Sequence, residues 1–448
     1  MWPLVGIPQA IAQGMAAYRS VFCRDAGFEH VSRYVSGLLL SANKTLQGIY
    51  SQWVFPPGAA VSRRAMHEAV FEAGWDRECL MAQHRATVSA QHQGQGAEVI
   101  SIDWTFAHHE RSEQIYGVKR SYDYVEKRMS RYPTVMTAAV ANRQRVDGLA
   151  VEVQFPNYEA EEKAYLEMTA QESYEEMAQV QQRLVELLHY QKNRLAYRKR
   201  TEMAVELVQQ IEAEGQFPNA PYAFDNGVLC RPLTEAIEQA GKHWVSELEG
   251  SRLILWSDEW QRVERVAATL RHEHPESFRP YSVPSRNGTM KTYWAFTKVV
   301  RLKKYGRKRL VIVHETADLS DPPRYLLTDA LNWESGRIIR TWTYRWPVEV
   351  FHEFCKQVAG FEAAQLRNEE AVKRHFCLSC LAQSLLYHAP LAGKTSERFS
   401  WADDAQPSLG QHRYGLAREA LEPLLQLAKA CFDQGQSVAE VLEVLMPA

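Results

Sequence analysis

The sequence predicts an α/β protein in which a helical N-terminal region and a helical tail flank a mixed core. Three observations predict it. Residues 1 to 95 carry apolar side chains at helical intervals and no repeated strand pattern. From Val99 onward, short β-branched and aromatic runs alternate with helix-length segments. The last stretch, Tyr414 to Met446, returns to helical spacing.

Composition bounds the function classes. A length of 448 residues allows about three domain-sized units. With 46% hydrophobic and 24% charged residues, a core can form without disulfide or metal staples. No apolar run approaches the roughly 18 to 20 residues of a membrane span, and the first residues lack a basic region followed by a signal-like stretch. The expectation is a cytoplasmic protein with no membrane partner. Seven scattered cysteines, an odd number, do not make a secreted disulfide framework. Cys377 and Cys380 form a C-x2-C in apolar surroundings with no second ligand pair, so they read as buried thiols rather than zinc ligands.

Taken in order, the N-terminal region (1–95) shows helical runs from Val31 to Tyr50 and Ser62 to Glu78, separated by Pro56-Pro57-Gly58. A core begins near residue 97 with the apolar strand Val99 to Trp104. Thr134 to Ala141 is a second strand, and Leu149 to Phe155 a third after a turn containing Asp147-Gly148. Tyr158 to Glu214 is helical and stops at Gly215. Leu184, Leu187 and Leu188 lie on its amphipathic face, followed by a basic run from Lys192 to Arg200; it is either a contact for DNA or a second subunit, or a scaffold helix. Tyr222 to Phe224 is a short strand before Asp225-Asn226-Gly227, Leu233 to Ala240 a helix and Leu253 to Trp256 a strand.

Residues 251–331 turn β-rich, with Tyr293 to Val300 and Leu310 to His314 the clearest strands, so the core is expected over 97–250 and 332–390, with a tail at 391–448. Net charge is −2, which argues mildly against a nucleic-acid binder. Yet Lys291 to Arg309 holds eight basic residues, Lys303, Lys304, Arg307 and Lys308 among them, and no acid. That segment is either a phosphate-contacting patch or a solvated hairpin tip.

The most informative stretch runs from Arg345 to Lys356. Arg345 lies four residues before Glu349 and Lys356 seven after, so all three border one helical face, while Val348, Phe351, Cys355 and Val358 form an apolar stripe beside it. Pro347 fits the first turn, with Arg345 at or just before the helix start.

This stretch resembles the Y-x2-R-x3-E-x6-K signature of bacterial insertion-sequence DDE transposases, with Arg345, Glu349 and Lys356 on the arginine, glutamate and lysine and Trp342 at the tyrosine position. Gly117-Val118-Lys119-Arg120-Ser121-Tyr122 is similar to the G-V-x-R-x-Y segment of related transposases, and Leu366 to Leu386 resembles the helix after the glutamate. The similarity covers residues 97 to 390.

The resemblance implies an RNase H-like catalytic core with a β-rich insertion. It assigns Asp103, Asp225 and Glu349 as the catalytic, metal-holding acids for two Mg²⁺ or Mn²⁺ ions. It also implies a helical N-terminal domain that binds double-stranded DNA at transposon ends, cleavage and joining to target DNA, and a homo-oligomer on DNA. Arg345 and Lys356 would position phosphates, and Trp346 or Trp342 would stack on an unpaired base. Trp104 stands where many relatives carry a second acid. Two other function classes stay open. One is a zinc hydrolase using His108 and His109 with Asp103, although no H-E-x2-H spacing follows. The other is a non-catalytic DNA-binding protein derived from a transposase.

Overall fold

The computed structural model describes residues 2–55, 61–170, 176–285, 289–391 and 407–446; Pro56-Pro57-Gly58 and most of the polar segment after Pro390 lie outside the described residues. The chain opens with α1 (Gln9–Ala16), α2 (Asp25–Leu40), α3 (Leu46–Gln52), α4 (Arg63–His67), which passes into a π-helical turn at Glu68–Glu72, and α5 (Arg77–His92). The run expected from Val31 to Tyr50 is therefore two helices. Asn43 breaks it by accepting from the Thr45 N–H, and Thr45 Oγ1 then caps the Gly48 N–H to start α3.

The middle of the chain holds β1 (Val99–Phe106), β2 (Lys119–Asp123), β3 (Arg128–Tyr132), β4 (Thr134–Ala141) and β5 (Val146–Gln154). It continues through α6 (Glu159–Thr169), α7 (Met177–Ala196), α8 (Arg200–Glu214), β6 (Tyr222–Phe224), α9 (Arg231–Gln239) and β7 (Trp244–Glu247). Then come β8 (Leu253–Trp256), β9 (Glu259–Arg262), α10 (Val263–Glu273), β10 (Arg279–Pro284), β11 (Met290–Leu302), β12 (Gly306–His314) and β13 (Arg324–Thr328). The chain closes with α11 (Ser335–Thr343), α12 (Trp346–Gln357), α13 (Glu369–Leu385), α14 (Leu409–Asp433) and α15 (Val438–Leu445).

One mixed sheet runs β5-β4-β1-β6-β7-β13-β12-β11-β8-β9, with β10 on β11, while β2 and β3 form a separate hairpin. In its first half β5, β4 and β1 are antiparallel neighbours, and β6 and β7 run parallel to β1. The expected turn at Asp147-Gly148 is instead inside β5. The reversal sits at Asn142–Arg145, where the Asn142 side chain accepts the N–H groups of Gln144 and Arg145. The β-rich segment 251–331 does not form a sheet of its own, because β13 pairs antiparallel with β7 and extends the core ladder.

Period-2 alternation sorts the two faces. Ile100 and Ile102 of β1, with Tyr222 and Phe224 of β6, pack with Met203 and Leu207 of α8 and Leu233 of α9. On the opposite face, Val135, Ala139 and Val151 pack with Val348, Phe351 and Cys355 of α12 and with Phe376 and Cys380 of α13. Gly148 makes this closure possible, since a Cβ there would stand 2.7 Å from Phe351 Cζ. Helix α13 is buried on every side from Ala371 to Leu385 and ties the N-terminal helices to the sheet. Leu38, Leu80, Leu381 and Leu416 belong to one cluster, so the helices of 1–95 share their core with α13 and α14 rather than enclosing one alone. Among the described residues no helix is long and apolar enough to cross a membrane.

Candidate active site

Asp103 projects from β1 toward the α12 face, because it alternates with the buried Ile102 that serves the other face. β1 and β6 pair in parallel with Ser101 opposite Ala223 and Ile102 opposite Phe224. The next step along both strands brings Asp103 and Asp225 side by side on one face, across a strand spacing of about 4.8 Å. Past Phe224 the chain leaves the ladder, and the Gly227 N–H donates to Asp225 Oδ1 at 2.8 Å to hold the turn.

Glu349 comes from α12. Trp346 and Pro347 start that helix with Arg345 immediately before it. Val348, Phe351 and Cys355 bury the stripe expected of them, which turns the Arg345–Glu349 edge along the end of β1. Arg345 Nη2 reaches Glu349 Oε1 at 2.8 Å and Nη1 reaches Asp103 Oδ2 at 3.5 Å. One guanidinium therefore spans two of the three acids.

The electrostatics follow from that crowding. Asp103 is only 8% exposed. Burial, then the neighbouring Asp225, push its carboxyl up to about 7, with Glu349 adding a smaller repulsion; the Trp104 N–H and Arg345 act in the other direction. Two of the three carboxylates share one guanidinium, and all three offer oxygen donors, a set that fits hard divalent ions such as Mg²⁺ or Mn²⁺. Two polar atoms in the same neighbourhood, Arg345 Nε and Trp104 Nε1, are buried without a hydrogen-bond partner.

Of the other sequence candidates, Trp346 stands beside the cluster and is 62% exposed, whereas Trp342 is packed against the Ile338 and Ile339 cluster under the Arg324 guanidinium. Lys356 lies two turns beyond Glu349, near enough to His352 and Glu362 to shift both. Both ring nitrogens of His108 are taken by other acids, Asp123 at 2.7 Å and Glu362 at 3.1 Å. Burial pushes the thiols of Cys377, to about 12, and Cys380 up.

The basic segment is elsewhere. Ser101, Ala223, Val245, Thr328 and Arg309 form one continuous row across the sheet. Asp103 lies beyond that row in one direction, and the β11–β12 turn at Leu302–Gly306 beyond it in the other. Four strand spacings across and five residues along put the tip about 25 Å from Asp103. Lys303, Lys304 and Arg307 are exposed there, but Lys308 pairs with Glu238 at 2.9 Å, which takes it out of the free basic set. Lys291 likewise pairs with Glu315 at 2.8 Å, so acids outside the segment compensate a stretch that has none of its own.

Two neighbours of the site carried no sequence signal. His352 is buried under α12, its Nε2 2.6 Å from Thr137 Oγ1 on β4. Arg200, at the start of α8, stacks 4.1 Å over Trp104. The basic run at 192–200 was visible in the sequence, but not that one member of it reaches the strand bearing Asp103. Set against protein-family models and against curated protein sequences, the chain gives no match in either.

Proposed function

We propose that this protein is a DDE transposase that cuts transposon ends and joins them to target DNA through an RNase H-like core. The observation that carries this is the convergence of Asp103 on β1, Asp225 just past β6 and Glu349 on α12, with Arg345 bridging Asp103 and Glu349. Three antiparallel strands followed by two parallel ones, with the acids on the face that α12 crosses, support the RNase H-like reading.

Asp103, Asp225 and Glu349 would hold two Mg²⁺ or Mn²⁺ ions, which when bound supply activation of an oxygen nucleophile and neutralisation of the leaving oxygen. The chain's own residues do the rest. Arg345 holds Glu349 toward the strand acids and brings positive charge to a site that must accept a phosphodiester. The apolar contacts of Val348, Phe351 and Cys355 keep α12 from rotating, so the glutamate is aimed before DNA arrives. Trp346, exposed beside the acids, is placed to stack on a base freed by cleavage. The substrate is double-stranded DNA, and the working form is a homo-oligomer on that DNA.

The test is a strand-cleavage assay on duplex DNA carrying the ends of the element that encodes this chain. Mg²⁺-dependent nicking and end joining are expected, with Glu349→Gln abolishing both and leaving end binding intact. Nicking by that variant at the wild-type rate would sink the assignment, and end binding without cleavage by the wild type would favour a non-catalytic DNA-binding protein.

A further inference from the structure

Helix α7 has two faces of unlike character. One packs on α6, where Tyr165 meets Tyr190 at a ring distance of 5.2 Å and Arg183 lies over Tyr165 at 5.5 Å. Arg194 pairs with Glu162 of α6 at 3.2 Å. The other face is open, with Met177, Leu184, Val185, Leu187, Leu188 and Leu195 between 37% and 78% exposed. Scattered exposed leucines need no explanation, but a contiguous row of them on one helix does.

The row has a period. Met177, Gln181, Leu184, Leu188, Gln191 and Leu195 follow one another at steps of four, three, four, three and four, the alternation of the core positions in a coiled-coil heptad. Over the 18 residue steps from Met177 to Leu195 this seam is about 27 Å long. It also reads the same in both directions: apolar, Gln, apolar, apolar, Gln, apolar. Laid against a second copy running the opposite way, Met177 meets Leu195, Gln181 meets Gln191 and Leu184 meets Leu188 in every layer. Each glutamine then faces a glutamine that can satisfy it, and each apolar group faces an apolar one. Val185 and Leu187 flank the midpoint and meet their own copies there, which makes a widened apolar patch at the centre of the pairing.

Charge fixes the direction. Glu176 stands at the N-terminus of the seam, and Lys192 is exposed near its C-terminus beside Arg194, which is held by Glu162 of α6. An antiparallel pair sets the acidic end of each helix against the basic end of the other, and opposes the two helix dipoles favourably. A parallel pair would set basic end against basic end. We infer that α7 is a self-association element, pairing antiparallel across a two-fold axis near Glu186 with α7 of a second copy of this chain. Such an interface is isologous and closed, so it yields a dimer and not a filament. It does not depend on the nuclease reading, since it requires neither DNA nor metal.

The experiment uses the full chain without DNA, in a Cys23→Ser, Cys79→Ser background that removes the exposed thiols. Sedimentation equilibrium is expected to show a concentration-dependent dimer that Leu184→Lys with Leu188→Lys returns to monomer, with circular dichroism showing an unchanged fold because both side chains are exposed in the monomer. For direction, Met177→Cys protein is mixed with Leu195→Cys protein under oxidation; a mixed disulfide dimer is expected, and neither variant should cross-link to itself. A monomeric wild type at tens of micromolar, a dimer that survives the two lysines, or self-linking of Met177→Cys would each overturn the proposal.

Discussion

His352 Nε2 of α12 lies 2.6 Å from Thr137 Oγ1 of β4, and Thr137 sits directly opposite Asp103 in the β1–β4 ladder. Through this contact the helix that carries Glu349 is indexed to the strand that carries Asp103. Burial, then Lys356 and Arg345, hold the His352 imidazole down at about 3, so it is neutral at physiological pH. In the unfolded chain it would protonate near 6.5, so its contribution to stability is present above that value and is lost as pH falls toward 3. His352→Ala is expected to destabilise the protein by about 1–3 kcal/mol. It should also weaken Mn²⁺ binding well below Tm, with His352→Gln restoring most of the affinity. A lowered Tm with unchanged Mn²⁺ affinity would reduce His352 to a packing residue.

Asp103 predicts a pH dependence of opposite sense. Its folded value of about 7 lies above the roughly 3.9 of an unfolded aspartate. Between those values the folded state alone holds the proton, so the contribution of Asp103 to metal-free stability falls as pH rises through the window and is most unfavourable above 7. Asp103→Asn should therefore raise stability by about 2–4 kcal/mol at pH 8 and change it little at pH 4. Divalent-ion affinity should move the other way, rising through pH 7 as the carboxylate becomes available. Urea unfolding in EDTA at the two pH values checks the first part; a stability difference independent of pH would contradict it.

A second buried acid should behave quite differently. Asp147 of β5 is fully buried, with Arg145 at 2.6 Å and His92 at 2.9 Å. Despite the cost of burial, these partners hold its carboxyl well below the usual range. Its stabilising contribution is complete above about pH 4 and is lost only as pH falls through the lower folded value. Asp147→Ala leaves Arg145 buried and unpaired, and is expected to cost about 3–5 kcal/mol at neutral pH. A loss under 1 kcal/mol in denaturant titration would mean that Arg145 finds another partner.

At the far side of the sheet, the exposed trio Lys303, Lys304 and Arg307 should act as a unit on DNA affinity. Neutralising all three is expected to weaken duplex binding regardless of sequence and to reduce the salt slope by about one per lost phosphate contact. Lys308→Gln should leave the slope alone and lower stability slightly through the lost Glu238 pair. An unchanged slope in the triple variant would make the turn a solvated hairpin tip.

Much of the candidate site's placement on strands and helix was legible in the chain because its parts are local. Asp103 sits within an apolar strand, Asp225 follows one, and Glu349 stands on a helix whose stripe can be counted. What escaped depends on partners far apart in sequence. Asp147-Gly148 has the composition of a turn, and only Arg145, His92 and the close pass of Phe351 explain an aspartate and a glycine inside the buried edge strand β5. β7, four residues long, is too short for a period, though it joins two halves of the sheet. The basic run looked uncompensated because Glu238 and Glu315 approach from other elements.

The pairing of β13 with β7 makes the acid-bearing strands and the basic turn parts of one stiff plate. A hinge between them would have to open the bonds that join Leu326, Leu327 and Thr328 to β7. Tension on a duplex gripped at the turn would reach Asp103 as torsion of the whole plate, with no swing of a separate lobe to absorb it. On the proposed DNA-cutting function, the offset of about 25 Å would act as a fixed ruler, close to seven base pairs at about 3.4 Å per step, between a duplex held at the turn and the three carboxylates.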